Sequence, residues 1–254
     1  MSQWLGFLKK EWTESVKSYK LLLTFLIFSL IGILNPFTAK ITPVVMEKFM
    51  PEGTVLNLPE PTALDSWLQF YSNFSQMGLL IFILLFSTMM SKELEKGTLI
   101  ILLTKGLRRS TVITTKFVMG IVYWTLAFLL TFIITYCYTA FYWDQSILEH
   151  VFLAASCVYV FGILIFIVTL WGNTYFASAY GGLLVTVGVV IALFIIGIFP
   201  NTETWNPLQL LTAPPQMLIG EVAPKKLLIP FLVTMGTGIV FLLGTLLHFH
   251  KKRL

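Results

Sequence analysis

The sequence predicts an all-α integral membrane protein with six transmembrane helices, and three observations carry that prediction. Six long apolar stretches contain no Asp, Glu, Lys or Arg. Their hydrophobicity is continuous rather than alternating, which selects helices over a membrane barrel. Only 11% of the 254 residues are charged and 57% are hydrophobic, against roughly 25% charged in a soluble domain. A helix of about 20 apolar residues crosses the hydrocarbon core. Six such spans and their connections use nearly the whole chain, so a single membrane domain over 1–254 is expected.

In chain order, residues 1–20 precede the first span. Trp4, Leu5, Leu8, Trp12 and Val16 recur there at helical spacing, while Lys9, Lys10, Glu14 and Lys17 fall elsewhere on the wheel. Such a helix lies in the membrane interface with Trp at headgroup depth. The first span runs from Leu21 to about Ala39. No small-x-small cleavage site follows it, so it reads as a retained anchor, not a leader. The second span covers about Phe70 to Met90, the third Phe117 to Phe141, the fourth Val151 to Trp171, the fifth Phe176 to Phe199 and the sixth Leu227 to Phe249. A Pro-containing loop, about Lys40 to Asp65, joins the first two. Gly172-Asn173-Thr174 reads as a tight turn between the fourth and fifth. The segment 200–226 carries Asn206-Pro207-Leu208 and Pro214-Pro215, and reads either as a surface loop or as short helices dipping into the outer leaflet.

The basic residues orient the chain. All but Lys40, Lys48, Lys225 and Lys226 of the 17 Lys and Arg residues fall on the side that holds both termini. The positive-inside rule therefore predicts a multi-pass protein of the cell membrane with both termini cytoplasmic. The net charge of +5 is spent flanking the spans, which argues against a nucleic-acid partner. Cys137 and Cys157 fall within spans and read as small apolar residues.

Several functions are disfavoured. Proton relays and voltage sensors use ionisable groups inside the membrane, and the predicted spans contain none. There is no HExxH motif and no GxxxxGK[ST] loop, so neither zinc proteolysis nor P-loop nucleotide binding is expected. His150, His248 and His250 offer no third metal ligand. No catalytic residue, metal site or cofactor is expected in this chain.

The longest polar connection, residues 91–116, has a charged head at Ser91-Lys92-Glu93-Leu94-Glu95-Lys96, an apolar middle from Gly97 to Leu103, and a basic end at Arg108 and Arg109. It reads as a short helix along the inner face, with its Leu and Ile toward the membrane or a partner and Glu93, Glu95, Lys96, Arg108 and Arg109 toward solvent. Lipid headgroups and a protein groove are equally acceptable as its neighbour on these grounds. Gly97 permits a turn into the helix and Thr98 suits its start.

This connection resembles the corresponding link of type-2 ATP-binding-cassette permeases, the membrane subunits of exporters. Their pattern is a Glu, three residues, Gly-Thr-Leu, a Leu-rich run, a small turn with Arg, and a Lys at the next span. Glu93, Gly97-Thr98-Leu99, Leu102-Leu103, Arg109 and Lys116 match it. Gly106 stands where family members often carry Pro. Pro61-Thr62-Ala63-Leu64-Asp65, Asn206-Pro207-Leu208 and the six-span topology extend the resemblance over the whole chain. The resemblance implies that 91–116 is a coupling segment, with Glu93, Gly97, Thr98, Leu99, Leu102 and Arg109 at the contact with a cytoplasmic ATPase. It implies two ATPase copies that carry ATP and magnesium, and a second permease subunit, identical or related. The expected function is ATP-driven outward movement of a hydrophobic or amphipathic cargo such as a peptide, an antimicrobial or a lipid-like molecule. The competing reading is a non-transporting anchor, or an immunity protein that sequesters a membrane-active peptide.

Two further sets of residues stand out. Tyr136, Tyr138 and Phe141 form a dense aromatic wall near the outer end of the third span and are candidates for the cargo path. Ala177-x-x-x-Gly181 and Ser178-x-x-x-Gly182 place small residues one turn apart at the start of the fifth span, suited to close helix packing within or between subunits.

Overall fold

A computed structural model describes residues 3–49, 60–95 and 97–252. The predicted loop prolines Pro51 and Pro59, together with Lys96 and Arg253, lie outside the described residues. The described chain is helical: α1 Gln3–Lys17, α2 Lys20–Phe49, α3 Ala63–Asn73, α4 Leu79–Glu95, α5 Thr98–Thr104, α6 Arg109–Tyr142, α7 Val151–Phe176, α8 Ala179–Gly197, α9 Gln209–Thr212, α10 Pro214–Leu218 and α11 Leu228–Lys251. Six helical stretches are long and apolar enough to cross a membrane: Lys20–Lys48, Ala63–Thr88, Arg109–Tyr142, Val151–Phe176, Ala179–Gly197 and Pro224–Lys251.

Four boundaries differ from the sequence expectation. The first span does not stop near Ala39, because α2 continues through Pro36 and Pro43. Membrane helices tolerate such residues where neighbours satisfy the freed backbone groups. The second span is not one regular helix. Asp65 accepts from the Thr62 amide and hydroxyl at 2.8 Å each and starts α3. A π-helical turn, Phe74–Gly78, then separates α3 from α4. The third span begins at Arg109 and takes in Lys116. Finally, Gly172-Asn173-Thr174 is not the turn before the fifth span but the buried last part of α7. The chain reverses at Ala177 and Ser178 instead, with Ala177 in the left-handed region at φ 53°.

Because lipid removes most of the hydrophobic drive between helices, association rests on close packing and polar contacts. Both are dense here. Gly162 lies under the indole of Trp124 and Gly120 under the ring of Phe166, where a Cβ would come within 2.0 and 1.8 Å respectively. α6 and α7 thus interlock ring into glycine. Thr131, Thr135 and Thr139 form a hydroxyl stripe on α6. Thr131 and Thr135 donate to the carbonyls of Phe28 and Gly32, Asn35 donates to Thr135 at 2.9 Å, and Ser66 pairs with Thr139 at 2.6 Å. The stripe ties α2 and α3 to α6. On the other side, Asn173 donates to the Ser87 carbonyl at 2.7 Å and Thr169 pairs with Thr186 at 2.8 Å, which ties α7 to α4 and α8. The kinked second span therefore belongs to both groups. α7 is the central span, 67% buried, whereas α8 is only 11% buried and presents most of its apolar surface outward.

Segment 200–226 folds onto this bundle. Leu210, Met217 and Leu218 are fully buried. Asn206 donates to the Leu193 carbonyl at 2.9 Å and accepts from the Leu208 amide at 3.0 Å, which pins the segment across the end of α8.

Candidate functional site

Besides the hydrogen bonds that tie the spans together, two places near opposite ends of the bundle are candidate sites. At the end that holds both described chain ends, an apolar cluster of Phe7, Leu99, Val112, Ile113, Leu170 and Phe249 joins α1, α5, α6, α7 and α11. Arg109 donates to the carbonyls of Phe249, His250 and Lys252 and so closes the exposed end of α11. Beside this cluster lies a buried group of charges. Lys116, 1% exposed, reaches both carboxylate oxygens of Glu11 at 3.2 Å and Glu93 Oε2 at 2.9 Å. Lys10 pairs with Glu93 as well, with Glu11 at 3.3 Å and with Glu14 at 3.4 Å. Three carboxylates thus converge on two ammonium groups. Burial pushes the Glu93 carboxyl up, but Lys116 and Lys10 more than offset this and hold it below its ordinary value. Burial likewise raises Glu11, and there Lys116 offsets only part of the rise.

This geometry redistributes the residues expected at an ATPase contact. Glu93 does not face solvent; it is 6% exposed and engaged inside the chain. Leu99 is fully buried in the apolar cluster, Leu102 packs half-buried against it, and Arg109 is committed to α11. Gly97 adopts φ 65° and caps α5. Thr98 therefore occupies the first turn rather than the cap, and its hydroxyl donates to the Glu93 carbonyl at 3.4 Å. The face of α5 left open consists of Thr98, Ile100, Ile101 and Thr104. Sequence reasoning matched Glu93 and Lys116 separately and did not join them. It missed Glu11, because α1 buries Phe7, Glu11 and Ser15 and leaves Leu5, Trp12 and Val16 exposed. The available signal was the i, i+4 spacing of those three residues.

Toward the opposite end, a cavity of about 770 Å³ opens between the second and fifth spans. Its apolar walls include Leu79, Leu80, Ile83 and Leu84 from α4, Val187, Val190, Ile191 and Phe194 from α8, and Phe161 and Ile165 from α7. Leu208, Leu211, Thr212 and Pro215 of the folded segment close one end. The polar liners are Tyr71, Ser72, Ser75, Gln76, Thr186 and Thr212, and no Asp, Glu, His, Lys or Arg is among them. The π-helical turn sits on its wall and carries Ser75 and Gln76.

The aromatic wall lies elsewhere. Tyr136 stacks on Phe132, meets Phe152 at a tilt, and borders a smaller recess with Gln145 and Leu148. Tyr138 and Phe141 are exposed, and none of the three lines the large cavity. The small residues divide as well. Ala177 and Ser178 occupy the turn, and only Gly181 and Gly182 lie on α8. Gly181 packs against Phe176, and a Cβ on Gly182 would come within 1.7 Å of Asn173 Oδ1. Both close contacts are within the chain.

Comparison with known proteins agrees with this architecture. Residues 6–246 match the model of the family described as ABC-2 family transporter protein. The chain is also 23% identical over 229 residues to the uncharacterized transmembrane protein YxlG of Bacillus subtilis (strain 168), a match that covers 88% of each chain. With six apolar helices and a family match over nearly its whole length, this chain belongs to the ABC-2 family transporter proteins.

Proposed function

We propose that this chain is the transmembrane subunit of an ATP-driven exporter, working with a second permease subunit and two separate ATPase subunits. The basic residues put the end with α1, α5 and both termini in the cytoplasm, where an ATPase is accessible. Ile100, Ile101 and Thr104 form the docking face, and the layer of Leu99, Leu102 and the Lys116 charges behind them makes it stiff. A push on α5 reaches the first, third, fourth and sixth spans through one packed cluster.

The cavity between the second and fifth spans is the observation that favours transport over a passive anchor. Its volume suits a drug-sized or lipid-sized molecule. Its uncharged walls suit a hydrophobic or amphipathic cargo, and it reaches the folded segment at the proposed outer end. Tyr136, Tyr138 and Phe141 do not border it, so the cavity replaces the aromatic wall as the proposed path.

The test uses the chain coexpressed with an ATP-binding-cassette ATPase that it retains on purification. Ile101→Asp puts a charge on the docking face and should abolish ATPase retention without changing thermal stability. Val187→Trp fills the cavity and should abolish stimulation of ATP hydrolysis by amphipathic compounds while basal hydrolysis persists. If Ile101→Asp keeps the ATPase, α5 is a membrane-surface helix. If Val187→Trp leaves stimulation intact, the cavity is not the path.

A further inference from the structure

The lysines of α1 are of two kinds. Lys10 pairs with Glu11, Glu14 and Glu93. Lys9 and Lys17 are exposed and make no ion pair among the described residues. Leu5, Trp12 and Val16 are exposed too. Their intervals of seven and four put them on one face of the helix, and Lys9 lies on its edge, one turn beyond Leu5. This face is separate from the one that carries Phe7, Glu11 and Ser15 into the bundle. α1 does not run on into the first span. Tyr19, 67% exposed, takes the left-handed region at φ 58°, which is rare for a bulky residue, and it turns the chain between α1 and α2. The apolar face therefore lies beside the point where the chain enters the first span.

Another side of α1 runs along the segment that precedes α6. Gln3 donates to the Gly106 carbonyl at 3.1 Å, Phe7 packs in the cluster with Leu99, and Lys10 pairs with Glu93. Gln3, Phe7 and Lys10 stand on successive turns of α1. They hold the far end, the middle and the start of the segment that contains α5. A shift of α1 thus reaches α5 directly.

We infer that Leu5, Trp12 and Val16, with Lys9 and Lys17, form a docking face for anionic phospholipids of the inner leaflet, and that α1 ties the position of α5 to the charge of that leaflet. Anionic headgroups supply the counter-charge that Lys9 and Lys17 lack within the chain. The apolar residues reach the acyl boundary while the lysine stems extend toward the headgroups. A lipid surface fits this face better than a protein groove does. Three apolar side chains in single file bury little area against the size of a stable protein interface, and a lysine enclosed in a dry groove needs a partner. The lipid dependence stands by itself. Its effect on ATP hydrolysis rests on α5 being the docking face proposed above.

The test uses the full-length chain without an ATPase, in nanodiscs of phosphatidylcholine or of phosphatidylcholine mixed with phosphatidylglycerol. A spin label on Val16→Cys, in a background of Cys137→Ala and Cys157→Ala, reports the depth of α1. Hydrogen exchange of the peptide over 97–107 reports α5. Phosphatidylglycerol should draw the label deeper and slow exchange in α5 about fivefold, the worth of one lysine at an anionic surface. Lys9→Gln with Lys17→Gln should unfold at the native temperature in micelles, because both side chains are exposed and unpaired, and should lose both responses. Lys9→Arg with Lys17→Arg should keep them. A label depth that ignores phosphatidylglycerol, or a full lipid response in the double Gln variant, overturns the docking face. So does a label that is buried only when the ATPase is added, which would assign the face to that protein. A label that deepens while exchange in α5 stays constant overturns the link and leaves α1 a plain anchor. Lipid-dependent exchange in α5, in a chain whose Ile101→Asp variant still retains the ATPase, would keep the inference and sink only the reading of α5 as the ATPase contact.

Discussion

The two buried polar places both hold a hydroxyl without a hydrogen-bond partner, Tyr123 beside Glu11 in one and Tyr71 and Ser75 in the other, and they differ in that only the first meets charge with charge. At the end with both termini, every buried charge meets an opposite charge: Lys116 lies between Glu11 and Glu93, and Lys10 covers Glu93 from the more exposed side. At the cavity, two hydroxyls are left without protein partners in surroundings that make this costly. Paired charges lock elements together, whereas an unmet hydroxyl only costs stability. The first place is built to hold α1, the second span and the third span in register. The second offers the apolar space proposed above for a cargo.

The largest expected effect comes from breaking the saturated place. Lys116→Met leaves the buried Glu11 and Glu93 carboxylates with only Lys10, and should cost about 3–5 kcal/mol of unfolding free energy in mixed micelles. Neutralising the whole group as Lys116→Met, Glu93→Gln and Glu11→Gln removes the uncompensated charges together. That triple variant should regain most of the loss, because a buried ion pair is seldom much better than well-packed neutral side chains. If the triple variant remains as unstable as the single one, the charges do more than satisfy one another.

Much of this was legible in the sequence, for physical reasons that also mark where legibility ends. The six spans were visible because lipid demands an uninterrupted apolar run, and the reading failed where a helix outlasts that run, through Pro36 and Pro43, past Gly172 to Phe176 and back to Arg109, and where the π-helical turn interrupts the second span. α1 was expected, but its buried face was not, because helical periodicity marks apolar residues and α1 buries Glu11 against Lys116. Glu93, Leu99 and Lys116 were picked out by their resemblance to a coupling segment. A one-dimensional pattern cannot tell a side chain that faces outward from one packed inside the chain, and Leu99 and Glu93 are of the second kind. The cavity had no sequence signature at all. Its walls are ordinary span residues from elements as much as a hundred positions apart, and the π-helical turn that carries Ser75 has no proline or glycine pair to announce it.

A pair of hydroxyl deletions sharpens the contrast directly. Thr135 donates to the Gly32 carbonyl and accepts from Asn35, so Thr135→Val strands the Asn35 amide in the core. The expected cost is about 1–3 kcal/mol. Ser75→Ala removes a hydroxyl that has no partner, so it should leave stability unchanged or raise it slightly in ligand-free micelles. Unfolding free energies for the two variants measured under the same conditions decide the matter. Equal losses would mean that Ser75 is satisfied in the folded chain, and the two places would then be alike.

The smallest expected effect is a pH dependence confined to the charged place. No carboxylate, imidazole or ammonium lines the cavity, so titration acts on stability there far less than around Lys116. Glu11 titrates above its ordinary value of 4.5 because burial outweighs the help from Lys116. A raised folded value means that the folded state holds this proton more tightly than the unfolded chain does. The associated stability is fully present below the unfolded value and is lost as pH rises through the folded one. Glu93, held below 4.5 by Lys116 and Lys10, works the other way: its contribution is present above the unfolded value and is lost only as pH falls through its depressed one. Above the ordinary carboxylate value Glu93 is therefore constant and Glu11 dominates, with Lys10, Glu14, Glu93, Lys116 and the Tyr123 hydroxyl around it. The native chain should therefore lose stability as pH rises through the folded value of Glu11. Glu11→Gln, which cannot ionise, should flatten the curve, and Ser75→Ala should leave it as it is. A native curve that is already flat, or one that Glu11→Gln does not change, would mean that Glu11 is ionised throughout, so that the charged place is satisfied without reserve at every pH the membrane meets.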